Sequence, residues 1–276
     1  MCLRGSLHGP SRCGRNEGRD LSLDQPLLRI ERLTKRFGGV LALNDVSFSV
    51  RKGDVVGLIG PNGSGKTTLF HCITGFLEPD PPSHVEVMGE SIKGKGPDGI
   101  ALMGIVRTFQ ELRVFRRLSV IENLLMSAQQ YQEDKIVPRF LNTGVIRAHE
   151  ARAKERAREL LELLNLSSSA GKTAGSLSFG QRKLLSLASA LMPDPQLILL
   201  DEPVAAVNPV LIDKIKEFIL DMKCAGKTFL LIEHNMGVVL DICDRIVVLD
   251  HGERIAEGAP QVIRTDPRVI DAYFGT

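Results

Sequence analysis

GPNGSGKT, residues 60–67, is the stretch that decides the fold class of this chain. It fits the pattern GxxxxGK[ST], in which glycine-rich backbone turns its N–H groups toward the phosphates of a nucleotide. The apolar run Val55–Ile59 predicts a buried strand before the loop. A helix is predicted to begin near Lys66, with the positive end of its dipole facing the same anion. This order of strand, loop and helix indicates a phosphate-loop nucleotide-binding core.

The end of the loop supplies groups suited to a bound nucleotide and its metal ion. Lys66 is expected to reach the β- and γ-phosphates, and the Thr67 hydroxyl is expected to hold Mg²⁺. The nucleotide-binding candidates in the loop and the first helical turn are Asn62, Gly63, Ser64, Gly65, Lys66, Thr67 and Thr68.

The composition is that of an ordinary globular chain. Its 276 residues are 43% hydrophobic and 25% charged, with a formal net charge of +2, which points neither to nucleic acid nor to an anionic membrane. The length allows one large domain or two small ones. No apolar run reaches the ~18–20 residues that span a bilayer, and residues 1–26 lack the apolar segment of a secretory signal. Five scattered cysteines without CxxC spacing favour reduced thiols over a zinc site or disulfides.

The pattern of apolar residues separates an N-terminal tail from a folded domain, and it separates a helical segment from the rest of that domain. Residues 1–26, rich in Gly, Arg, Ser and Asp, are predicted to be a disordered N-terminal extension, and residues 27–276 to form the folded domain. Strands are predicted around the phosphate loop, and strands alternate with helices after Pro195. A helical segment, at about residues 112–190, is inserted between these halves. The order predicts an α/β fold with parallel strands in its core.

Two carboxylates follow the apolar run Leu197–Leu200. A buried strand that ends in Asp201 places this acid where Mg²⁺ on the nucleotide would sit. Glu202, one residue further on, is suited to orient or deprotonate an attacking water.

The segment LSFGQ, residues 177–181, is a second candidate anion site. It precedes a helix predicted to start near Arg182, so the Ser178 side chain and the Gly180 amide lie at a helix N-terminus. One nucleotide does not need two phosphate sites in the same chain.

Together these motifs resemble the nucleotide-binding subunit of ATP-binding cassette (ABC) transporters, across about residues 27–276. LSFGQ is similar to that family's LSGGQ signature, and it lies in the family's order between the phosphate loop and the LILLDEP strand. The resemblance implies a P-loop NTPase ABC ATPase core with an antiparallel β subdomain and an inserted α-helical subdomain. It also implies that the nucleotide is ATP, hydrolysed with Mg²⁺.

The resemblance assigns roles to three further side chains. Phe37 matches the aromatic residue that stacks on adenine, and Gln110 matches the loop glutamine that approaches Mg²⁺ and the attacking water. His234 matches the histidine that hydrogen-bonds the γ-phosphate. The implied catalytic residues are Glu202, His234 and Gln110, and the implied Mg²⁺ ligands are Thr67, Gln110 and Asp201.

The family mechanism needs a second ATPase subunit. Two such domains pack head to tail, so Ser178, Gly180 and Gln181 are expected to contact ATP bound to the partner; a heterodimer is preferred to a homodimer. Closing and opening of this dimer implies transmembrane permease subunits, contacted through the helical insert, and indirectly a solute-binding protein. The basic stretch 113–117 is either a permease contact or a solvated loop. The implied location is the cytoplasmic face of the membrane, peripheral through the permease.

Several segments resemble the importers of branched-chain amino acids and related polar solutes: residues 37–39, 105–110, 120–124, 206–209 and 269–275. An ATPase for lipopolysaccharide export shares part of this set. Three positions depart from the common family pattern: Phe179 replaces a glycine of the signature, Asn208 an aspartate that many relatives carry, and Ala205 a serine.

Three other classes of protein fit part of the pattern. A soluble ABC protein of DNA repair or translation would have a much longer separation between the motifs or two cassettes per chain. An unrelated phosphate-loop kinase would leave LSFGQ and the His234 segment unexplained. A regulatory ATP-binding subunit with little turnover is disfavoured because Glu202 is present. The sequence therefore predicts an ATP-hydrolysing motor subunit of an importer.

Overall fold

A mixed sheet of six strands forms the centre of the computed structural model, which describes residues 25–108, 114–128 and 143–274. In spatial order its strands are β10 (Glu253–Gly258), β9 (Arg245–Asp250), β3 (Val55–Ile59), β8 (Thr228–Ile232), β7 (Leu197–Asp201) and β6 (Ile105–Arg107). From β9 to β6 neighbouring strands are parallel, and only β10 pairs antiparallel, with β9. The predicted parallel α/β core is confirmed; the antiparallel edge strand was not predicted.

The central strands read as continuous apolar runs because both faces of the sheet are covered. Val55 and Ile59 of β3 pack into one apolar cluster, which includes residues of helices on that face. Val56 and Leu58, which alternate with them, pack into a second cluster that contains residues of the other sheet. Successive side chains of a strand point to opposite faces of the sheet, so these residues contribute to two apolar clusters, one on each face.

A four-stranded antiparallel sheet covers the second face. Its strands, in spatial order, are β2 (Val40–Val50), β1 (Leu28–Phe37), β4 (His84–Val87) and β5 (Glu90–Ser91). Leu28 lies opposite Val50, and Phe37 lies opposite Val40 at the far end of the same pair. This is the antiparallel sheet that the family resemblance implied.

Helices connect the strands. They are α1 (Lys66–Ile73), α2 (Pro97–Leu102), α3 (Val120–Ser127), α4 (Thr143–Leu163), α5 (Phe179–Leu191), α6 (Pro209–Cys224), α7 (Met236–Ile242), α8 (Pro260–Ile263) and α9 (Pro267–Phe274). Short 3₁₀ turns lie at Ser167–Ser169 and Ala174–Ser176. Helices α3 to α5 lie within the stretch that was predicted to be helical. The predicted N-terminal extension falls, up to residue 24, outside the described residues.

Leu231, fully buried in the central strand β8, tests how much of the stability comes from this two-faced sheet. We expect Leu231→Ala to lower the free energy of unfolding by about 2–5 kcal/mol, since the truncation leaves a cavity between packed layers. Urea unfolding of the purified chain measures the change.

Leu220→Ala is the matched control, because this leucine is 37% exposed on α6 and its truncation should cost much less. An equal decrease in the free energy of unfolding in the two variants would contradict the conclusion that the core is centred on the six-stranded sheet.

Candidate functional site

The phosphate loop connects β3 to α1 and lies against two neighbouring backbones. Gly60 has φ 149° and Gly65 has φ 99°, both in the region that favours glycine. A Cβ atom would lie 2.0 Å from the Leu249 carbonyl oxygen at Gly60, and 2.5 Å from the Ala42 carbonyl oxygen at Gly65. Glycine is therefore required at both positions by contact as well as by conformation.

The Lys66 ammonium lies inside this loop. Its Nζ donates hydrogen bonds to the carbonyl oxygens of Gly60 at 2.9 Å and Pro61 at 2.7 Å, and the side chain is almost completely buried. Burial lowers the pKa of Lys66, and the carboxylates of Glu202 and Asp201 oppose that shift. The predicted phosphate-binding lysine and the two predicted acids thus share one electrostatic environment.

The other predicted loop residues differ in exposure. Ser64 is buried, and its hydroxyl accepts a hydrogen bond from Lys66 Nζ at 3.3 Å. Asn62, Gly63 and Thr67 are exposed, and Thr68 is half-buried. The loop therefore presents Thr67 to solvent at the first turn of α1, where an anion or its metal ion can reach it.

Glu202 and His234 meet although 31 residues separate them in the chain. Glu202 follows β7 and His234 follows β8, and these strands are parallel neighbours in the sheet. His234 Nε2 lies 3.1 Å from Glu202 Oε1, and both side chains are partly exposed. The pair lines a small cavity of about 180 Å³. A carboxylate and an imidazole in this arrangement can hold a water molecule and orient it toward an electrophile.

Asp201 has a partner that sequence reasoning missed. Its Oδ2 accepts a 2.7 Å hydrogen bond from Arg107 Nη2, and the two side chains are 10% and 6% exposed. The Arg107 guanidinium also lies over the Phe70 ring, 5.4 Å from its centroid. The sequence marked residue 107 only as part of a motif, because nothing local shows that the ends of β6 and β7 are adjacent.

The oxygen donors at the end of β7 and the start of α1 fit Mg²⁺. This ion is commonly held by one or two protein oxygens together with phosphate oxygens and water. The Asp201 carboxylate and the Thr67 hydroxyl are donors of that type. The third predicted ligand, Gln110, lies outside the described residues, as does Arg113 of the basic stretch; Arg116 and Arg117 are described and exposed.

The LSFGQ segment begins α5. The helix starts at Phe179 rather than near Arg182, so that prediction was wrong by three residues. Ser178 is the N-cap: its Oγ accepts from the Gln181 amide at 3.2 Å, and Gln181 Oε1 accepts from the Ser178 amide at 3.0 Å. This capping box explains the early start, because it satisfies two amide groups of the first turn.

The signature segment lines a groove of about 510 Å³ that is separate from the Glu202–His234 cavity. Phe179 is 46% exposed beside it, and a Cβ atom at Gly180 would lie 2.5 Å from Leu211 Cδ2 of α6. The Asn208 side chain caps α6 at the same groove by accepting from the Leu211 amide at 2.9 Å. Among the described residues, those that line this groove include none of the phosphate loop.

Phe37 ends β1 as an exposed aromatic side chain. It is 46% exposed, and Lys35 Nζ lies 5.9 Å from its ring centroid. An aromatic side chain with this exposure can stack on another ring.

Comparisons with known proteins agree with these motifs. A family model described as "ABC transporter" matches residues 43–205, and one described as "Branched-chain amino acid ATP-binding cassette transporter" matches residues 253–276. The chain is 41% identical over 254 residues to the high-affinity branched-chain amino acid transport ATP-binding protein BraF of Pseudomonas aeruginosa, covering 92% of this chain and 99% of BraF. It is 40% identical over 253 residues to the probable branched-chain amino acid transport ATP-binding protein LivG of Methanocaldococcus jannaschii, covering 90% and 97%.

The chain is also similar to solved structures of ATP-binding cassettes. The ADP conformation of an ATP-binding cassette from an ABC transporter matches with a TM-score of 0.79 at 40% identity, covering 91% of this chain and 100% of that chain. A nucleotide-free cassette matches with a TM-score of 0.78 at 39% identity, with the same coverage.

The chain belongs to the ABC transporter family. The predicted fold class, a P-loop ABC ATPase core, is confirmed, and so is the prediction that the chain is an ABC ATPase. Within the described ranges, every helix is too short or too polar to cross a bilayer.

Removal of one partner of the buried Arg107–Asp201 ion pair should lower the free energy of unfolding. We expect Arg107→Met to lower the free energy of unfolding by about 3–5 kcal/mol, because it leaves the Asp201 carboxylate buried without its cation. The double variant Arg107→Met/Asp201→Asn should recover part of that loss, as measured by urea unfolding.

Arg158→Met is the control, since the Arg158–Glu155 pair is 69% exposed on both sides and should contribute at most about 1 kcal/mol. A loss after Arg107→Met no larger than in this control would show that the buried pair adds nothing to stability.

Proposed function

We propose that this chain is the ATP-hydrolysing motor subunit of an importer for branched-chain amino acids or related polar solutes. The observation that carries hydrolysis is the Glu202–His234 pair, 3.1 Å apart beside the phosphate loop. The solute class is supported by the names of the relatives BraF and LivG and by the family model that matches residues 253–276.

In this proposal each of the chain's own site residues has a separate role at one bound nucleotide. Glu202 orients the attacking water and accepts its proton, while His234 donates a hydrogen bond to the γ-phosphate. Lys66 binds the β- and γ-phosphates after leaving its loop carbonyls, and Phe37 stacks on adenine. Mg²⁺, when bound, neutralises charge on the phosphate oxygens; Asp201, Thr67 and Gln110 are the residues that would hold it.

The second half of the proposed site comes from another ATPase subunit. Ser178, Gly180 and Gln181 lie in a groove apart from the Glu202–His234 cavity, which is the arrangement expected if they contact a partner's ATP. The Ser178 hydroxyl already accepts a hydrogen bond from Gln181, so its own O–H can donate to a phosphate oxygen. We favour a heterodimer of ATPase subunits over a homodimer.

The proposed assembly places the chain at the cytoplasmic face of the membrane, bound to permease subunits that receive solute from a binding protein. The exposed Arg116 and Arg117, near the start of the predicted helical subdomain at about residues 112–190, are candidate permease contacts. Opening and closing of the ATPase dimer would move that subdomain and, with it, the permease.

Glu202→Gln tests the catalytic assignment and the shared site together. We expect this variant to keep ATP affinity and lose turnover, because the amide cannot accept the proton of water. Light scattering with and without MgATP then distinguishes the two dimers: a shift from one chain mass to two indicates that the site is shared in a homodimer, and the heterodimer that we favour needs the second ATPase for the shift.

Glu162→Gln, which changes an exposed carboxylate on α4, is the matched control and should hydrolyse ATP like the wild type. Wild-type turnover in Glu202→Gln would remove Glu202 from its role. Absence of the mass shift despite ATP binding would mean that closure needs a different ATPase or the permease.

Lys66→Ala tests the phosphate loop. We expect ATP to bind with a free energy weaker by about 1.5–3 kcal/mol, since one charge-assisted phosphate contact is lost. Titration calorimetry measures the affinity, and Lys52→Ala, at an exposed lysine before β3, is the control. Unchanged ATP affinity in Lys66→Ala would contradict the assignment.

A further inference from the structure

Lys183 is a buried cation outside the residues assigned so far to the reaction. It lies on α5, and its side chain reaches under the segment that follows β7. Its Nζ donates hydrogen bonds to the carbonyl oxygens of Glu202 at 3.0 Å and Ala205 at 2.9 Å. One ammonium thus holds both ends of residues 202–205.

That segment has an unusual backbone conformation. Glu202 has φ 49° and Ala206 has φ 58°, in the left-handed region that L residues rarely adopt. Such conformations cost on the order of 1–3 kcal/mol each and persist only where the surroundings fix them. The Glu202 amide also donates to the Ile232 carbonyl at 2.9 Å. Lys183 is the side chain that fixes the carbonyl side of the same residue.

Glu233 binds the backbone at His234, the second residue of the proposed catalytic pair. It is 3% exposed, and its Oε1 accepts from the Val204 amide at 2.8 Å. Its Oε2 accepts from the amides of His234 at 3.1 Å and Asn235 at 3.3 Å. A single carboxylate therefore ties the backbone after Glu202 to the backbone that carries the His234 ring.

The two buried charges stabilise each other. Burial lowers the pKa of Lys183, and the carboxylates of Glu233 and Glu202 oppose this shift. Burial raises the pKa of Glu233, and the three amide hydrogen bonds and Lys183 oppose it. Each charge also has hydrogen bonds to backbone groups, which is the condition under which buried charges are tolerated.

We propose that Lys183 and Glu233 are positioning residues that set the geometry of Glu202 and His234, and that Lys183 links this geometry to the helix carrying Ser178. The inference rests on the proposed function, since it concerns the same hydrolytic site. In the proposed site neither residue contacts the nucleotide. Lys183 acts through the carbonyls of Glu202 and Ala205, and Glu233 acts through the amides of Val204, His234 and Asn235.

The test is Lys183→Met, which keeps an unbranched side chain only one heavy atom shorter and removes its charge and donors. We expect kcat for ATP hydrolysis to fall at least tenfold while the dissociation constant for ATP changes by less than twofold. Lys183→Arg, which restores a buried donor and charge, should recover much of the lost kcat.

Lys227→Met is the matched control. Lys227 is also buried and donates to the Pro195 carbonyl at 3.0 Å and to Asp194 Oδ1 at 2.6 Å, away from the catalytic pair. We expect it to lower the melting temperature about as much as Lys183→Met with kcat within twofold of wild type. Equal loss of kcat in both variants, or a kcat within twofold of wild type in Lys183→Met, would overturn the proposal.

Hydrogen exchange gives a readout that is independent of turnover. Glu233→Gln should speed exchange at the amides of Val204, His234 and Asn235, and Lys183→Met should speed it at the amides of residues 202 and 204–206. Exchange in α1 should be unchanged in both variants. Unaltered exchange at these amides would also overturn the proposal.

Glu202→Gln, measured in parallel, separates this inference from the proposed function. If Glu202→Gln hydrolyses ATP at the wild-type rate, the proposed function fails. If Glu202→Gln is inactive and Lys183→Met is fully active, only the positioning role fails.

Discussion

The parallel alignment of β3, β8 and β7 is the constraint on which the rest of the site depends. Because parallel strands end at the same edge of a sheet, the phosphate loop, His234 and Glu202 emerge side by side, although they lie far apart in the chain. The loop can occupy that edge only because Gly60 and Gly65 allow it to touch neighbouring backbone. A side chain at either glycine would clash with the Leu249 or Ala42 backbone, so the loop that holds Lys66 would have to move.

Alternating charge organises the edge of the sheet. The Asp201 carboxylate faces the Arg107 guanidinium, and the pKa of Lys66 responds to both Asp201 and Glu202. Beneath them Lys183 binds the carbonyl of Glu202. In a poorly hydrated environment each of these charges would be costly alone. Together they hold the Asp201 side chain and the Glu202 backbone in place before any ligand binds, whereas Lys66 exchanges its loop carbonyls for phosphate oxygens in the proposed mechanism. Preorganisation of this kind is what electrostatic catalysis requires.

Local sequence patterns predicted the helices and strands whose formation depends on residues close together in the chain. The predicted alternation of strands and helices after Pro195 is confirmed, for example by the helix Pro209–Cys224 and the strand Thr228–Ile232, because an N-cap residue marks the helix and a continuous apolar run marks the strand. The predicted start of α5 was wrong because the capping box at Ser178 was not recognised. Contacts over long sequence separations were not predictable: Arg107 meets Asp201 only because β6 pairs with β7. The roles of the site residues remain predictions, and Gln110 lies outside the described residues.

Helix α5 joins two functions that the sequence presented as separate motifs. Ser178 caps its first turn, and Lys183 lies five residues further along the same helix, about 7.5 Å along its axis. A helix this short behaves as a rigid rod, so a contact that shifts Ser178 also shifts Lys183. The hydrogen bonds from Lys183 to Glu202 and Ala205, at 3.0 and 2.9 Å, weaken if they lengthen by a few tenths of an ångström. In the proposed dimer, ATP held by the partner would therefore act, through α5, on the backbone of the catalytic glutamate in this chain. In this proposal, coupling between the two nucleotide sites would pass through α5.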